Sequence, residues 1–374
     1  MKKAGIITFH FADNYGAVLQ AYALANTIEK LGVKAEIIDF VPNKLREPYK
    51  LFPNIKNMVD NKGLSYTIRN TLSRLFYIRH NITRIRSFDE FRNTYLNLSE
   101  RRYNNVIELL NESFDYDYFI TGSDQVWNPK FFSHFNGVYF LDFADKKAKK
   151  ISYAASIAEK VDKSFNKDYS SYLAMFDYIS VREESAKEFL CDKTDKKIEV
   201  TLDPTLLLNK EEWNRVSTKK NYNFKYILVY DLISDPLIVK IASKLANATG
   251  YKVLSYSRRI DYVNWYSSFS SHSPTDFLGL FANAEYIVTN SFHGTAFSII
   301  YNKPFYTVPH KTRGSRMIDL LNSLEINDRL IKMDEDIKDI SNSIDYDKVE
   351  SKLLEQKDRS MVFLKKALGV KKKV

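Results

Sequence analysis

One stretch, Ala284 to Val308 (AEYIVTNSFHGTAFSIIYNKPFYTV), restricts what this chain can fold into more than any other. Glu285 to Thr289 is apolar and rich in β-branched and aromatic residues, and the polar run Asn290-Ser291-Phe292-His293-Gly294 interrupts it, as when a strand enters a turn. From Thr295 to Tyr301 the apolar residues Ala296, Ile299 and Ile300 fall at helical spacing. Lys303-Pro304 stops that helix, and Phe305 to Val308 reads as a second strand. Strand, helix and strand in this order form a parallel crossover unit, which commits the chain to the α/β class.

In such a unit the loop leaving the first strand lies at the carboxyl edge of the sheet, where open α/β folds bind ligands. The helix that follows aims its N-terminus there. Free backbone N–H groups, the helix dipole and the hydroxyls of Ser291 and Thr295 predict a phosphate site, with Gly294 allowing close approach. His293 would stand beside the phosphate, where an imidazole can give or take a proton. The alternative is a histidine that only hydrogen-bonds a neighbouring loop.

The chain is long enough, at 374 residues, for two domains with their own cores. Its single cysteine, Cys191, excludes an intramolecular disulfide and a cysteine-cluster zinc site, suits a reducing cytosol, and leaves metal chemistry unindicated. The apolar stretch after Lys3 is cut short by His10 and Asp13 before it could serve as a signal sequence, and no segment reaches the length of a membrane span. A cytoplasmic location is expected. The excess of 56 basic over 46 acidic residues favours acidic partners, among them an anionic membrane surface or a phosphorylated small molecule. No nucleic-acid-binding motif is present.

Read from the start, Ala4 to Phe9, Ala17 to Leu31 and Val33 to Phe40 form another βαβ unit. Its loop holds Gly16 alone rather than a dinucleotide-binding glycine pattern, so a nicotinamide or flavin role is not expected. Asn14, Tyr15 and Gln20 either line the mouth of a site or serve as a cap and solvated surface. Residues 42–102 form a basic insertion in which Ile68, Leu72, Leu75, Ile78, Ile82 and Ile85 keep helical spacing among arginines. Such a helix either touches anionic lipid or packs on the domain.

The strand ending at Thr121 leads into Gly122-Ser123-Asp124-Gln125-Val126-Trp127-Asn128-Pro129. Ser123, Asp124, Gln125 and Asn128 beside Trp127 offer hydrogen bonds and an aromatic face, which a sugar needs; a structural turn with a buried indole is equally compatible. Arg182 leaves a strand toward the carboxyl edge, placed for a carboxylate or phosphate or for a surface pair with Glu183 or Glu184. After a boundary near residue 216 the alternation repeats to residue 345, with Arg313 and Arg316 within reach of the same phosphate, and residues 346–374 form a helix with a lysine tail.

The segments NYGAVLQAYAL (Asn14 to Leu24), GSDQVWNP (Gly122 to Pro129), SVRE (Ser180 to Glu183), LDPTLLL (Leu202 to Leu208) and TNSFHGTAFS (Thr289 to Ser298), in this order, resemble the polysaccharide pyruvyl transferase family over nearly the whole chain. The resemblance implies two Rossmann-like domains facing across a cleft, as in glycosyltransferase-B enzymes: an acceptor side at 1–215 and a donor side at 216–345. It also implies transfer of a pyruvyl group from phosphoenolpyruvate to two hydroxyls of one sugar, forming a cyclic ketal and releasing phosphate, with no cofactor. His293 would supply the proton, and Arg182 with the helix N-terminus would hold the donor. One branch of the family has arginine and leucine before the histidine; Ser291-Phe292 here removes one donor cation unless Arg313 or Arg316 replaces it. A sugar-nucleotide glycosyltransferase and a non-catalytic sugar-binding protein at a membrane are the rival expectations.

Overall fold

A computed structural model describes residues 1–129, 137–158, 169–218, 222–256, 267–268, 272–310, 314–332 and 343–370. Its first sheet contains β1 (Lys3–Ile7), β2 (Lys34–Phe40), β3 (Leu98–Tyr103), β4 (Tyr118–Thr121), β5 (Lys149–Ala155), β6 (Tyr178–Val181) and β7 (Ile198–Val200). They pair in parallel in the order β3-β2-β1-β4-β5-β6-β7. The second sheet contains β8 (Tyr226–Tyr230), β9 (Lys252–Tyr256), β10 (Ser267–Ser268), β11 (Tyr286–Thr289) and β12 (Phe305–Thr307), also parallel, in the order β10-β9-β8-β11-β12. Helices cover parallel sheets on both faces, so the inner strands read as continuous apolar runs. YILVY in β8 is buried at every position. This is the two-domain Rossmann-like architecture expected from the sequence.

Each sheet has one point where the strand order reverses, between β1 and β4 in the first and between β8 and β11 in the second. Loops leaving the two strands at such a point diverge and open a crevice. The two crevices share one cavity.

Between the sheets, the helix Tyr15–Lys30 packs on the helix Pro274–Asn283. The Tyr15 ring stacks on Phe277 at 4.4 Å, and its hydroxyl donates to the His272 carbonyl at 2.8 Å. One core runs through this junction, from Leu24 and Trp213 to Phe281 and Phe297. The terminal helix Tyr346–Ala367 returns to the first sheet, where the Ser360 hydroxyl accepts from the Leu202 N–H at 3.0 Å.

Two elements differ from expectation. The basic insertion is not one helix: Leu64–Phe76 and Ile78–Tyr95 break at Tyr77, and the segment ends in β3, an edge strand whose polar sequence LSERRY conceals any alternation. The helix Ile78–Tyr95 is docked, burying Phe88 and Phe91 and turning Arg92 onto the β1 loop. Arg92 donates there to the Asp13 carboxylate at 2.9 Å and to the Phe11 and Ala12 carbonyls. The helix after β11 starts at Phe292 rather than Thr295, because Ser291 caps it and accepts from the Gly294 N–H at 3.4 Å.

Candidate active site

The loops at the two reversal points enclose a cavity of about 370 Å³. Asn14, Asp124 and Gln125 line it from the first sheet, and Ser291, Phe292 and His293 from the second. Arg316, on the helix Ser315–Leu324, closes one side.

His293 is the second residue of its helix and is buried apart from an edge facing the cavity. Its Nε2 lies 3.6 Å from Asp203 Oδ2 and has no hydrogen-bond partner among the described residues. Its other face rests on Gly16: a Cβ at that position would come within 1.9 Å of Nδ1. The lone glycine of the first loop is therefore the space that lets the imidazole in.

Asp203 is fully buried, and every oxygen is in use. Oδ2 accepts from Arg182 Nη1 at 2.5 Å and from the Ser123 hydroxyl at 3.3 Å, and Oδ1 accepts from the Thr205 N–H at 3.0 Å and its hydroxyl at 2.7 Å. Burial alone would push this carboxyl up; His293 and then Arg182 and Thr205 overcome it and hold the group far below the usual carboxylate range. The carboxylate is thus fixed as an anion beneath the histidine.

Arg182 is buried too, and burial works against its charge until Asp203, Glu183 and Asp124 raise its pKa. Its Nε and Nη2 have no hydrogen-bond partner among the described residues. The Phe292 ring covers the guanidinium at 4.8 Å, with the Arg316 guanidinium 5.7 Å from the same ring. The buried Nε of Arg316 has no hydrogen-bond partner among the described residues, and burial together with repulsion from Arg182 pushes its pKa down to about 10. Both cations thus keep donors without hydrogen-bond partners among the described residues, with Glu183 Oε2 standing 3.8 Å from Arg182 Nε. Glu183 also shapes the loop after β5, its Oε1 accepting from the Ser156 hydroxyl and from the Ile157 and Ala158 N–H groups.

Of the residues the sequence singled out, Asn14, Asp124, Gln125, Ser291, His293 and Arg316 come together around the cavity. Arg182 stands behind Phe292 and pairs with Asp203 at 2.5 Å and, more distantly at 3.8 Å, with Glu183, both of them buried rather than on the surface. The others need correction. Trp127 is no sugar platform, for its ring is fully buried, stacked on Phe140 at 5.1 Å, with Nε1 donating to the Tyr139 carbonyl. Gln20 is equally buried: its amide donates to the Thr8 hydroxyl and the Ala17 carbonyl and accepts from the Ser123 N–H. Ser123 and Asn128 are buried within the same loop, and Tyr15 belongs to the junction between the sheets.

Thr295 is not a phosphate ligand, since its buried hydroxyl bonds Thr307 at 3.0 Å and lies 3.2 Å from the Ser291 carbonyl. Gly294 makes room for the strand rather than for a ligand: a Cβ there would meet the Thr289 hydroxyl at 2.3 Å. Arg313 lies outside the described residues. Asp203 and Gly16 were missed as site residues. Asp203-Pro204 carries the local pattern of a turn, which it also is, and only the packing of distant segments reveals the carboxylate's second use.

A sequence model described as polysaccharide pyruvyl transferase matches residues 14–312. The chain belongs to this family. No curated protein matches the chain. Among solved structures, the UDP-GlcNAc 2-epimerase of Methanocaldococcus jannaschii is similar at 13% identity and TM-score 0.46, covering 95% of this chain and 92% of that one. The S. aureus MnaA–UDP structure is similar at 12% identity and TM-score 0.44, covering 98% and 91%. E. coli ADP-heptose LPS heptosyltransferase II is similar at 11% identity and TM-score 0.39, covering 95% and 99%. As a polysaccharide pyruvyl transferase family member, this chain has the family match running from its Asn14 cap through the β1 and β4 loops and Asp203 to the His293 helix.

Proposed function

We propose that the chain transfers a pyruvyl group from phosphoenolpyruvate to two hydroxyls of one sugar in a polysaccharide or a lipid-linked precursor, on the cytoplasmic side. The observation that carries this reading is the pair Arg182 and Arg316 with orphaned donors beside His293 and its anionic partner Asp203. Phosphoenolpyruvate bears a phosphate and a carboxylate on adjacent positions and needs both cations and a proton source.

In this scheme Arg316 binds the donor from the cavity wall, and Arg182 takes the second anionic group once Phe292 turns aside. His293, held by Asp203, protonates the methylene carbon. The neighbouring alkene carbon becomes electrophilic, one sugar hydroxyl adds to it, and that hydroxyl's proton returns to the imidazole. Phosphate then leaves with the C–O bonding pair. The second hydroxyl closes the ketal, and its proton goes to the departing phosphate. Asn14, Asp124 and Gln125, facing the histidine across the cavity, are the proposed acceptor contacts. No step requires a cofactor.

Melting the protein with each donor class separates this reading from sugar-nucleotide transfer, because a ligand of the folded state raises the melting temperature by mass action. Phosphoenolpyruvate is expected to raise it and a UDP-sugar to leave it unchanged. The reverse result would favour a glycosyltransferase.

A further inference from the structure

We propose that the helix Leu64–Phe76 is a docking surface for an anionic lipid bilayer. Of the fourteen large apolar side chains exposed among the described residues, seven lie between Phe52 and Phe76. Leu64, Ile68, Leu72 and Leu75 repeat at spacings of four, four and three, so they share one helical face, and they are 63%, 51%, 62% and 47% exposed. A soluble helix normally turns that face inward. Here the buried residue is Thr67, on another face.

Charge selects the occupant. Residues 42–86 carry ten basic and two acidic side chains, which is eight of the chain's ten net positive charges in about an eighth of its length. Arg69 is exposed on this helix, and Lys56, Arg79 and Arg86 are exposed on the helices before and after it, Ile55–Lys62 and Ile78–Tyr95. An apolar face in so basic a segment combines the two contributions that hold amphipathic helices on anionic membranes, acyl-chain contact and attraction to the headgroups. A second copy of this chain would bring the same cations against each other. Among the described residues no helix is long and apolar enough to cross a membrane, so the contact is peripheral.

The helix is also tied to the site. Arg74 donates to the Lys50 carbonyl at 2.8 Å and the Pro48 carbonyl at 3.1 Å, and Tyr49 between them lines the cavity. A bilayer docked on this helix would therefore hold the element that fixes a cavity-lining loop, which suits a sugar carried on a lipid. That consequence rests on the proposed transfer reaction; the docking does not.

The test is flotation of the full chain with vesicles of phosphatidylglycerol and phosphatidylcholine, or phosphatidylcholine alone, at low and high salt, with no saccharide or donor present. Binding is expected to the anionic vesicles at low salt, to fall steeply as salt is added, and to be lost without phosphatidylglycerol. Ile68→Gln with Leu72→Gln, both on the surface and expected to melt like the parent chain, should lower the partition coefficient at least about ten-fold. Arg69→Glu with Arg79→Glu should do the same. Absence of binding at low salt, or variants that float like the parent chain, would overturn the proposal. So would a parent dimer that the apolar variant converts to monomer, since the face would then be covered by a second copy.

Discussion

Replacing His293 with alanine is expected to lower turnover by ~100 to 10,000-fold, the range for loss of a positioned proton donor, in a chain that still folds. The ring lies at the cavity edge, so its removal opens the pocket without unpacking a core. Gly16→Ala provides the geometric control. The added methyl would sit 1.9 Å from Nδ1 and must push the imidazole off Asp203 without changing its chemistry. Most of the histidine effect should reappear in that variant, read as phosphate release at saturating donor. Full activity in Gly16→Ala would show that the position of the ring does not matter, and would remove His293 from the chemistry.

The second large effect belongs to Asp203. Truncation to alanine removes an acceptor for Arg182, Ser123 and Thr205 at once and leaves the guanidinium buried without a counter-charge. Breaking a buried pair from one side typically costs ~3–5 kcal/mol, so denaturant unfolding should show a loss of that order together with inactivity. The pH dependence has a definite sign. The folded-state carboxyl titrates far below its ordinary value of 3.8, so its contribution is complete above that pH and is lost as pH falls further, toward the folded-state value. Asp203→Asn should therefore flatten the acid limb of the stability curve below about pH 4. An acid limb identical to that of the parent chain would show that Asp203 is not the group held down by His293 and Arg182.

The sequence revealed what depends on local pattern. Strand and helix alternation placed the inner strands of both parallel sheets to within a few residues but missed the polar edge strands β3 and β10, and the polar interruption at Asn290–Gly294 marked the loop that builds the cavity. It misjudged residues whose role depends on partners far along the chain. Gln20, Ser123 and Trp127 have side chains suited to sugars, yet Thr8 for the first, Ala154 and Asp203 sharing the hydroxyl of the second, and Tyr139 for the third occupy their hydrogen-bonding groups inside the fold. A hydroxyl at a helix start can bind phosphate or hold the next strand, and only its neighbours decide; Thr295 meets Thr307. Conversely, Asp203 reads as a turn residue until Arg182, Ser123 and His293 converge on it from other segments. Glycine carries the same ambiguity. Gly16 is needed because a histidine from the other sheet, 277 residues away in sequence, lies against it.

The central claim is that His293 protonates the methylene carbon of phosphoenolpyruvate so that a sugar hydroxyl can add to the neighbouring carbon. Its most direct test is to run the reaction in heavy water with an acceptor saccharide and examine the product by mass spectrometry and proton resonance. The account predicts inorganic phosphate and a ketal whose methyl group carries one deuterium, with neither formed by His293→Ala. A product lacking solvent deuterium in that methyl group, or a sugar transferred from a nucleotide with phosphoenolpyruvate untouched, would contradict it.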